Sequence, residues 1–320
     1  MSNAVTERLR AQMALPVIAA PMLLVSGPQL VIAACRSGVV GSFPTLNART
    51  AEICEQWFVE IAAALTAARD EGGLVAPYAV NIIVHEAANR RLEADLALAE
   101  RFQAPIVITS VGDPRSVVER VHAYGGIVSH DVATLRHADK AIAAGVDALV
   151  LLTAGAGGHT GKANPFAFVR DIRRMWEGPV ALAGALSDGT SVRAAEILGA
   201  DFAYMGTRFA ATAESLAPLA YKNFLLSQQL SDVITTDRIS GLDATFLRGS
   251  IAAAGLDPDN LPPRKALFEP DLPDGIKAWR DVWSGGHGVG LIEDIPSVGE
   301  LIARLLAEYV LAGVRYSSSS

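Results

Sequence analysis

Cysteine is scarce in this chain. Only Cys35 and Cys54 occur among 320 residues, with no CxxC spacing, which excludes a disulfide framework and a thiolate zinc site. Aromatic residues contribute 6% and charged residues 19%. No basic run of five or more residues appears, and the net charge is −7, so the chain lacks the electrostatic footprint of a nucleic-acid binder. The longest apolar stretch, 141–152, is broken by Asp147 and falls short of the ~20 residues that span a bilayer. The first ten residues carry Glu7, Arg8 and Arg10 and hold no apolar block of signal-peptide type. These absences predict a reducing, cytoplasmic location with no membrane and no nucleic-acid partner.

What is abundant is aliphatic. Hydrophobic residues make up 51% and mean hydropathy is +0.30, enough for a sizeable core and too apolar for intrinsic disorder. Eight short, almost continuously apolar runs stand at 17–20, 39–41, 78–81, 106–109, 127–129, 148–152, 180–183 and 202–205. Continuous rather than alternating hydrophobicity marks parallel strands covered on both faces. Segments of helical period separate them, such as 116–124, 134–144 and 191–199. Gly125, Gly126, Gly145 and Gly199 follow such segments where helices close. Eight strand–helix alternations fit a (β/α)₈ TIM barrel. A doubly wound open sheet is the competing architecture, but the first turn, Ala20-Pro21-Met22-Leu23-Leu24-Val25-Ser26-Gly27, lacks its GxGxxG fingerprint.

The reading therefore divides the chain into a barrel core at 1–215 and a C-terminal helical extension at 216–320. The extension has helical stretches near 218–231 and 298–309 and a Pro- and Asp-rich segment at 256–275 between them. A helix-like insertion at 50–69 also exceeds the minimal barrel. The serine run at 317–320 reads as a disordered end.

In such a barrel the loops after the strands carry the chemistry. Thr153-Ala154-Gly155-Ala156-Gly157-Gly158-His159-Thr160-Gly161 follows the sixth run. Its glycines let backbone lie against a ligand, and His159 can act as acid, base or donor near neutral pH. Neither phosphate motif fits: a Walker A loop needs glycine at Ala156, and a dinucleotide fingerprint needs one at Thr160. Gly184 and Ala185 follow the seventh run, and Gly206 and Thr207 the eighth. These are the two loops that often bind phosphate in barrels. Arg208 would add charge if it pointed inward, while Ser187, Asp188, Thr190 and Ser191 suit the cap of the following helix.

Pro21 and Met22 follow the first run with no charged side chain before Arg36, an apolar edge suited to a flat ring. Asn81 would offer an amide to a ring heteroatom. His130 and Asp131 follow the fifth run and belong to the same end. His122 and His137 fall in helical segments and read as surface residues. His85-Glu86-Ala87-Ala88-Asn89 has Asn where a zinc helix needs its second histidine, so no metal site is expected. A late cluster, 283–290, carries glycines and His287 and could fold over the barrel mouth.

Taken together these pieces resemble the nitronate monooxygenase family, formerly called 2-nitropropane dioxygenases. The resemblance is carried by Ala20-Pro21-Met22, Val80-Asn81, Gly145-Val146-Asp147, Ala156-Gly157-Gly158-His159-Thr160-Gly161, Leu198-Gly199-Ala200-Asp201 and Met205-Gly206-Thr207-Arg208-Phe209. It implies an FMN-dependent barrel oxidoreductase that converts alkyl nitronates and O₂ to carbonyl compounds and nitrite. By the same resemblance Ala20, Pro21, Met22 and Asn81 would face the flavin ring, and Gly157 and Gly158 the ribityl chain. Gly184, Ala185, Gly206 and Thr207 would hold the phosphate, and His159 would be catalytic. The chain departs from the family pattern at Leu152 and Gly155, where polar residues are usual, at Ala185 in place of glycine, and at His287 in place of glutamine. Two other readings stay open: an NAD(P)H-dependent flavin reductase of enoyl thioesters or quinones, and a non-catalytic barrel binding a phosphorylated metabolite. The features leave the assembly state, homo-oligomer included, undetermined.

Overall fold

A computed structural model of the protein describes residues 4–266 and 270–317; the serines at 318–320 lie outside the described residues. In chain order the strands are β1 Val17–Ala19, β2 Val40–Pro44, β3 Tyr78–Ile83, β4 Ile106–Ser110, β5 Ile127–Val132, β6 Ala148–Leu152, β7 Gly158–His159, β8 Val180–Ala183, β9 Phe202–Met205, β10 Val233–Thr236 and β11 Ala244–Leu247. Eight of them close into a barrel in the order β1-β2-β3-β4-β5-β6-β8-β9. Every barrel pair is parallel, and β1 meets β9 at Ile18 against Tyr204 to complete the ring. The architecture is a (β/α)₈ barrel, and its strands begin within one residue of the apolar runs. One difference matters for the site. β5 continues through His130 and Asp131 instead of stopping at residue 129, because Ser129 and His130 keep laddering with β4 and β6.

Helices wrap the outside. The one at Gly189–Leu198 shows why the chain folds this way locally: Asp188 accepts the Ser191 N–H at 2.7 Å in a capping box, and Gly199 closes the far end, together worth about 1–2 kcal/mol. The helix Val298–Ser317 packs against Gly189–Leu198 and Pro28–Arg36 through Val298, Leu301, Ile302 and Leu305. It thereby fills the last place in the helical ring, although its strand β9 ended at residue 205. The intervening segment is not purely helical. It supplies β10 and β11, which join β7 in a three-stranded antiparallel sheet.

The barrel interior is packed with Ile18, Val40, Ala79, Ile106, Ile108, Ile127, Val150, Ala181, Phe202 and Tyr204. Its lower end is closed by a short helix, Ala4–Arg10. Leu9 of that helix is 5% exposed and joins the interior cluster. Arg10 ties the plug to the wall, donating to the Asp201 carbonyl at 2.6 Å and pairing with Glu196 at 2.6 Å. No helix among the described residues is long and apolar enough to cross a membrane.

Candidate active site

At the upper end the strand alternation brings side chains from neighbouring strands to a common floor. Counting inward from Ile106, Ile108 and Ile127 with the period of two, Asn81, Ser110, Asp131 and Leu152 point up into the mouth. Ala20, Ala183 and Tyr204 complete that layer, and all seven line one cavity. The floor is polar along one arc. Asn81 Nδ2 donates to the Ile108 carbonyl at 3.0 Å and to Ser110 Oγ at 2.8 Å, and Ser110 Oγ donates to Asp131 Oδ2 at 2.7 Å.

Above the floor the loops close in. The same cavity is lined by Ala20, Pro21, Met22, Asn81, Gly157, Gly158, His159, Gly184, Ala185, Gly206 and Thr207, so every residue singled out for a ring, a ribityl chain, a phosphate or catalysis meets at one rim. Gly158 has a left-handed backbone, φ +76°, and a Cβ built there would have nothing within 4 Å, so any side chain would fill ligand space instead of striking protein. A Cβ on Gly157 would come within 2.6 Å of Thr207 Oγ1, and one on Gly184 would collide with Thr153 Oγ1. Close backbone approach explains Gly157 and Gly184, and the left-handed backbone explains Gly158.

Three expectations change. Arg208 does not add charge to the rim. It is 2% exposed, turned away, and held by Asp294 at 2.8 Å, and no lysine or arginine lines the cavity. Ala185 takes the left-handed conformation, φ +58°, so the alanine does not escape the geometry that glycine usually serves; the cost is about 1 kcal/mol. The Asn81 NH₂ is already committed to protein acceptors, which leaves its oxygen to face a ligand. His130 and Asp131 also separate. Asp131 lines the cavity, whereas His130 turns to the other face, bonds Thr109 Oγ1 at 2.8 Å, and is driven down to about 4 by burial.

His159 is seated by the cap as much as by the barrel. Its backbone lies in β7 opposite Ala244 of β11. The Gly158 N–H donates to Ser284 Oγ at 2.7 Å, and Thr245 Oγ1 donates to the Ala156 carbonyl at 2.7 Å. The imidazole meets Trp279 edge to face at 5.5 Å between centroids. Burial holds its pKa below the usual histidine value, so the ring is neutral at neutral pH and can accept a proton. The late glycine cluster does fold back on the mouth: Ser284, Gly286 and Gly288 line the cavity, the His287 N–H donates to the Gly155 carbonyl at 2.9 Å, and the Gly286 N–H donates to Thr207 Oγ1 at 2.9 Å. The His287 ring is not among the lining groups; it occupies the space a Gly155 side chain would need.

Sequence reasoning did not single out Tyr204, Tyr221, Trp279 or Ser110 as lining residues. Tyr204 and Ser110 were reachable by inward alternation. Trp279 lies just beyond the Pro- and Asp-rich segment, in a stretch with no period, and its left-handed backbone, φ +69°, has no sequence signature.

An eight-stranded parallel barrel with glycine loops and a half-buried histidine around one mouth has the architecture of a barrel enzyme. Comparison with known proteins sharpens this. The sequence matches the family model for nitronate monooxygenase over residues 7–308, and the chain belongs to that family: it is an enzyme, a flavin-dependent oxidoreductase. It is 29% identical to a nitronate monooxygenase of Paraburkholderia phytofirmans, covering 92% of each protein. It is 25% identical to the (3aS,4S,5R,7aS)-5-hydroxy-7a-methyl-1-oxo-octahydro-1H-indene-4-carboxyl-CoA dehydrogenase of Rhodococcus jostii, covering 97% of this chain and 96% of that one. Among solved structures, the fold is similar to FabK from Thermotoga maritima, with TM-score 0.80, 23% identity and full coverage of both chains. It is also similar to nitroalkane oxidase from Streptomyces ansochromogenes, with TM-score 0.75, 23% identity and coverage of 96% and 99%.

Proposed function

We propose that this enzyme holds FMN in the rim cavity and oxidises alkyl nitronates or nitroalkanes with O₂ to carbonyl compounds and nitrite. One observation carries the reading: an apolar wall, a glycine cradle, a hydroxyl and an imidazole line the same cavity. The residues suit the cofactor. Ala20, Pro21 and Met22 offer an apolar edge to the ring, and the open space at Gly158 accommodates a chain. With no lysine or arginine in the lining, backbone N–H groups at Gly184 and Gly206 and the Thr207 hydroxyl would hold a phosphate, while the Ala185 N–H is already donated to the Gly155 carbonyl at 3.3 Å. FMN would supply the electron-accepting chemistry.

The protein's own part is to exclude water, orient the substrate and manage one proton. Neutral His159 takes the proton α to the nitro group of a neutral nitroalkane, and Trp279 walls its flank. A preformed nitronate needs no such transfer, so the imidazole then acts as a hydrogen-bonding partner for the anion. The likeness to the Rhodococcus dehydrogenase supports a second reading, a flavin oxidoreductase working on a thioester with a nicotinamide partner. Anaerobic mixing separates the two. Rapid bleaching of the FMN-loaded enzyme by a nitronate supports the first reading, and bleaching by NADH alone supports the second. A protein that takes up no FMN removes both and leaves a phosphometabolite-binding barrel.

A further inference from the structure

The mouth contains one carboxyl that the proposed chemistry does not use. Asp131 stands at the top of β5, and its Oδ2 accepts from Ser110 Oγ at 2.7 Å. Its Oδ1 is shielded from solvent and has no hydrogen-bond partner in the protein, an unfavourable state for an ionised carboxylate. The side chain lines the same cavity as His159 and Asn81, and no lysine or arginine lines that cavity.

We propose that Asp131 is a further ligand-binding residue of this site, its second carboxyl oxygen making a hydrogen bond to the molecule that fills the cavity. The proposal rests on the FMN reading above, and FMN is the probe that tests it. With Ser110 donating to Oδ2, the other oxygen is where a proton resides, so the group meets the ligand as a neutral donor. The surroundings favour that form. Burial pushes its pKa up to about 7, with only the Ser110 hydrogen bond working against the rise. An ionised Asp131 would add a negative charge to a cavity that takes an anionic ligand and whose own lining carries no lysine or arginine.

Asp131 also borders an adjoining cleft, whose lining includes Asp113, Arg115, His130, His137, Lys140 and Lys162. β4 presents Ser110, β6 presents Leu152 and β9 presents Tyr204, whose phenol burial raises far above neutrality. His159 on β7 is shifted the other way.

The test uses the full chain and measures FMN affinity by quenching of flavin fluorescence, together with the visible spectrum of the bound flavin, across neutral pH. For the native protein, FMN binding weakens as pH rises above about 7, approaching tenfold per unit if only the neutral acid binds. Asp131→Asn keeps a donor that cannot ionise; it retains FMN and loses that alkaline limb. Asp131→Leu, which keeps neither, binds FMN more weakly than Asp131→Asn at every pH. If Asp131→Asn and the native protein give the same pH dependence and the same spectra, the proposal is overturned while the FMN reading stands. If the native protein takes up no FMN, the FMN reading falls and the proposal falls with it.

Discussion

The two ends of the barrel are built from the same eight strands and turn out opposite. At the lower end, Leu9 and the helix Ala4–Arg10 seal an apolar interior. At the upper end the inward layer is Asn81, Ser110, Asp131 and Tyr204, and the closing elements are glycine loops and a docked cap rather than a plug. Unpartnered buried polar atoms occur at both ends, at Thr6 and Arg10 of the plug and at Asp131 above. Only the upper end also holds glycine loops and an alanine in a left-handed backbone around an open cavity. Stability and chemistry are thus separated along one axis, and substitutions at each end should move different observables.

The largest effect is expected above. His159→Ala should lower turnover of neutral nitroalkanes about 10²–10⁴-fold, the usual worth of a positioned base, with FMN retained and thermal stability little changed. Because burial depresses the histidine pKa below 6.5, the native enzyme should keep its base deprotonated at neutral pH. Its kcat/KM should fall only as acid protonates the ring, a limb that the variant lacks. Unchanged kinetics would remove the role assigned to His159.

Below, Leu9→Ala should cost about 2–4 kcal/mol, since a buried leucine loses its transfer energy and leaves a cavity. Urea unfolding reads the loss, and FMN affinity should stay at the native value. A shift in FMN affinity would show that the two ends are coupled.

The smallest effect tests the upper end from the side of stability. Ala185→Gly relieves a left-handed alanine and loosens the unfolded chain, two terms of similar size and opposite sign. A net change within about 1 kcal/mol is expected in denaturation, with phosphate grip intact. A loss larger than that would mean the Ala185 methyl packs in a way its backbone strain does not suggest.

The barrel was legible in the sequence because parallel strands covered on both faces read as unbroken apolar runs, and all eight stood out. The loop glycines were legible as a set because each follows a run directly. What failed to show was set by distance or by alternation. β10 and β11 are short and partly polar, and the third strand, paired with β11, is only the dipeptide at 158–159, so no local pattern announces the sheet. The helix Val298–Ser317 was readable as a helix, yet its place in the ring depends on packing against Pro28–Arg36 at the other end of the chain. Asp131 stands just past the apolar run at 127–129, and only the ladder to β6 shows that it continues the inward series from Ile127 and Ser129. Arg208 was placed on the correct loop, but the direction of its side chain was decided by Asp294, which is remote in sequence.

The pairing of β7 with β11 has a practical bearing on attempts to recombine this enzyme with its relatives. The imidazole rides on a two-residue rung whose other rail belongs to the insert between β9 and the final helix. Exchanging that insert would therefore also re-seat the His159 imidazole, so a chimera that keeps its position must transfer residues 156–160 and the 244–247 rail from one parent together.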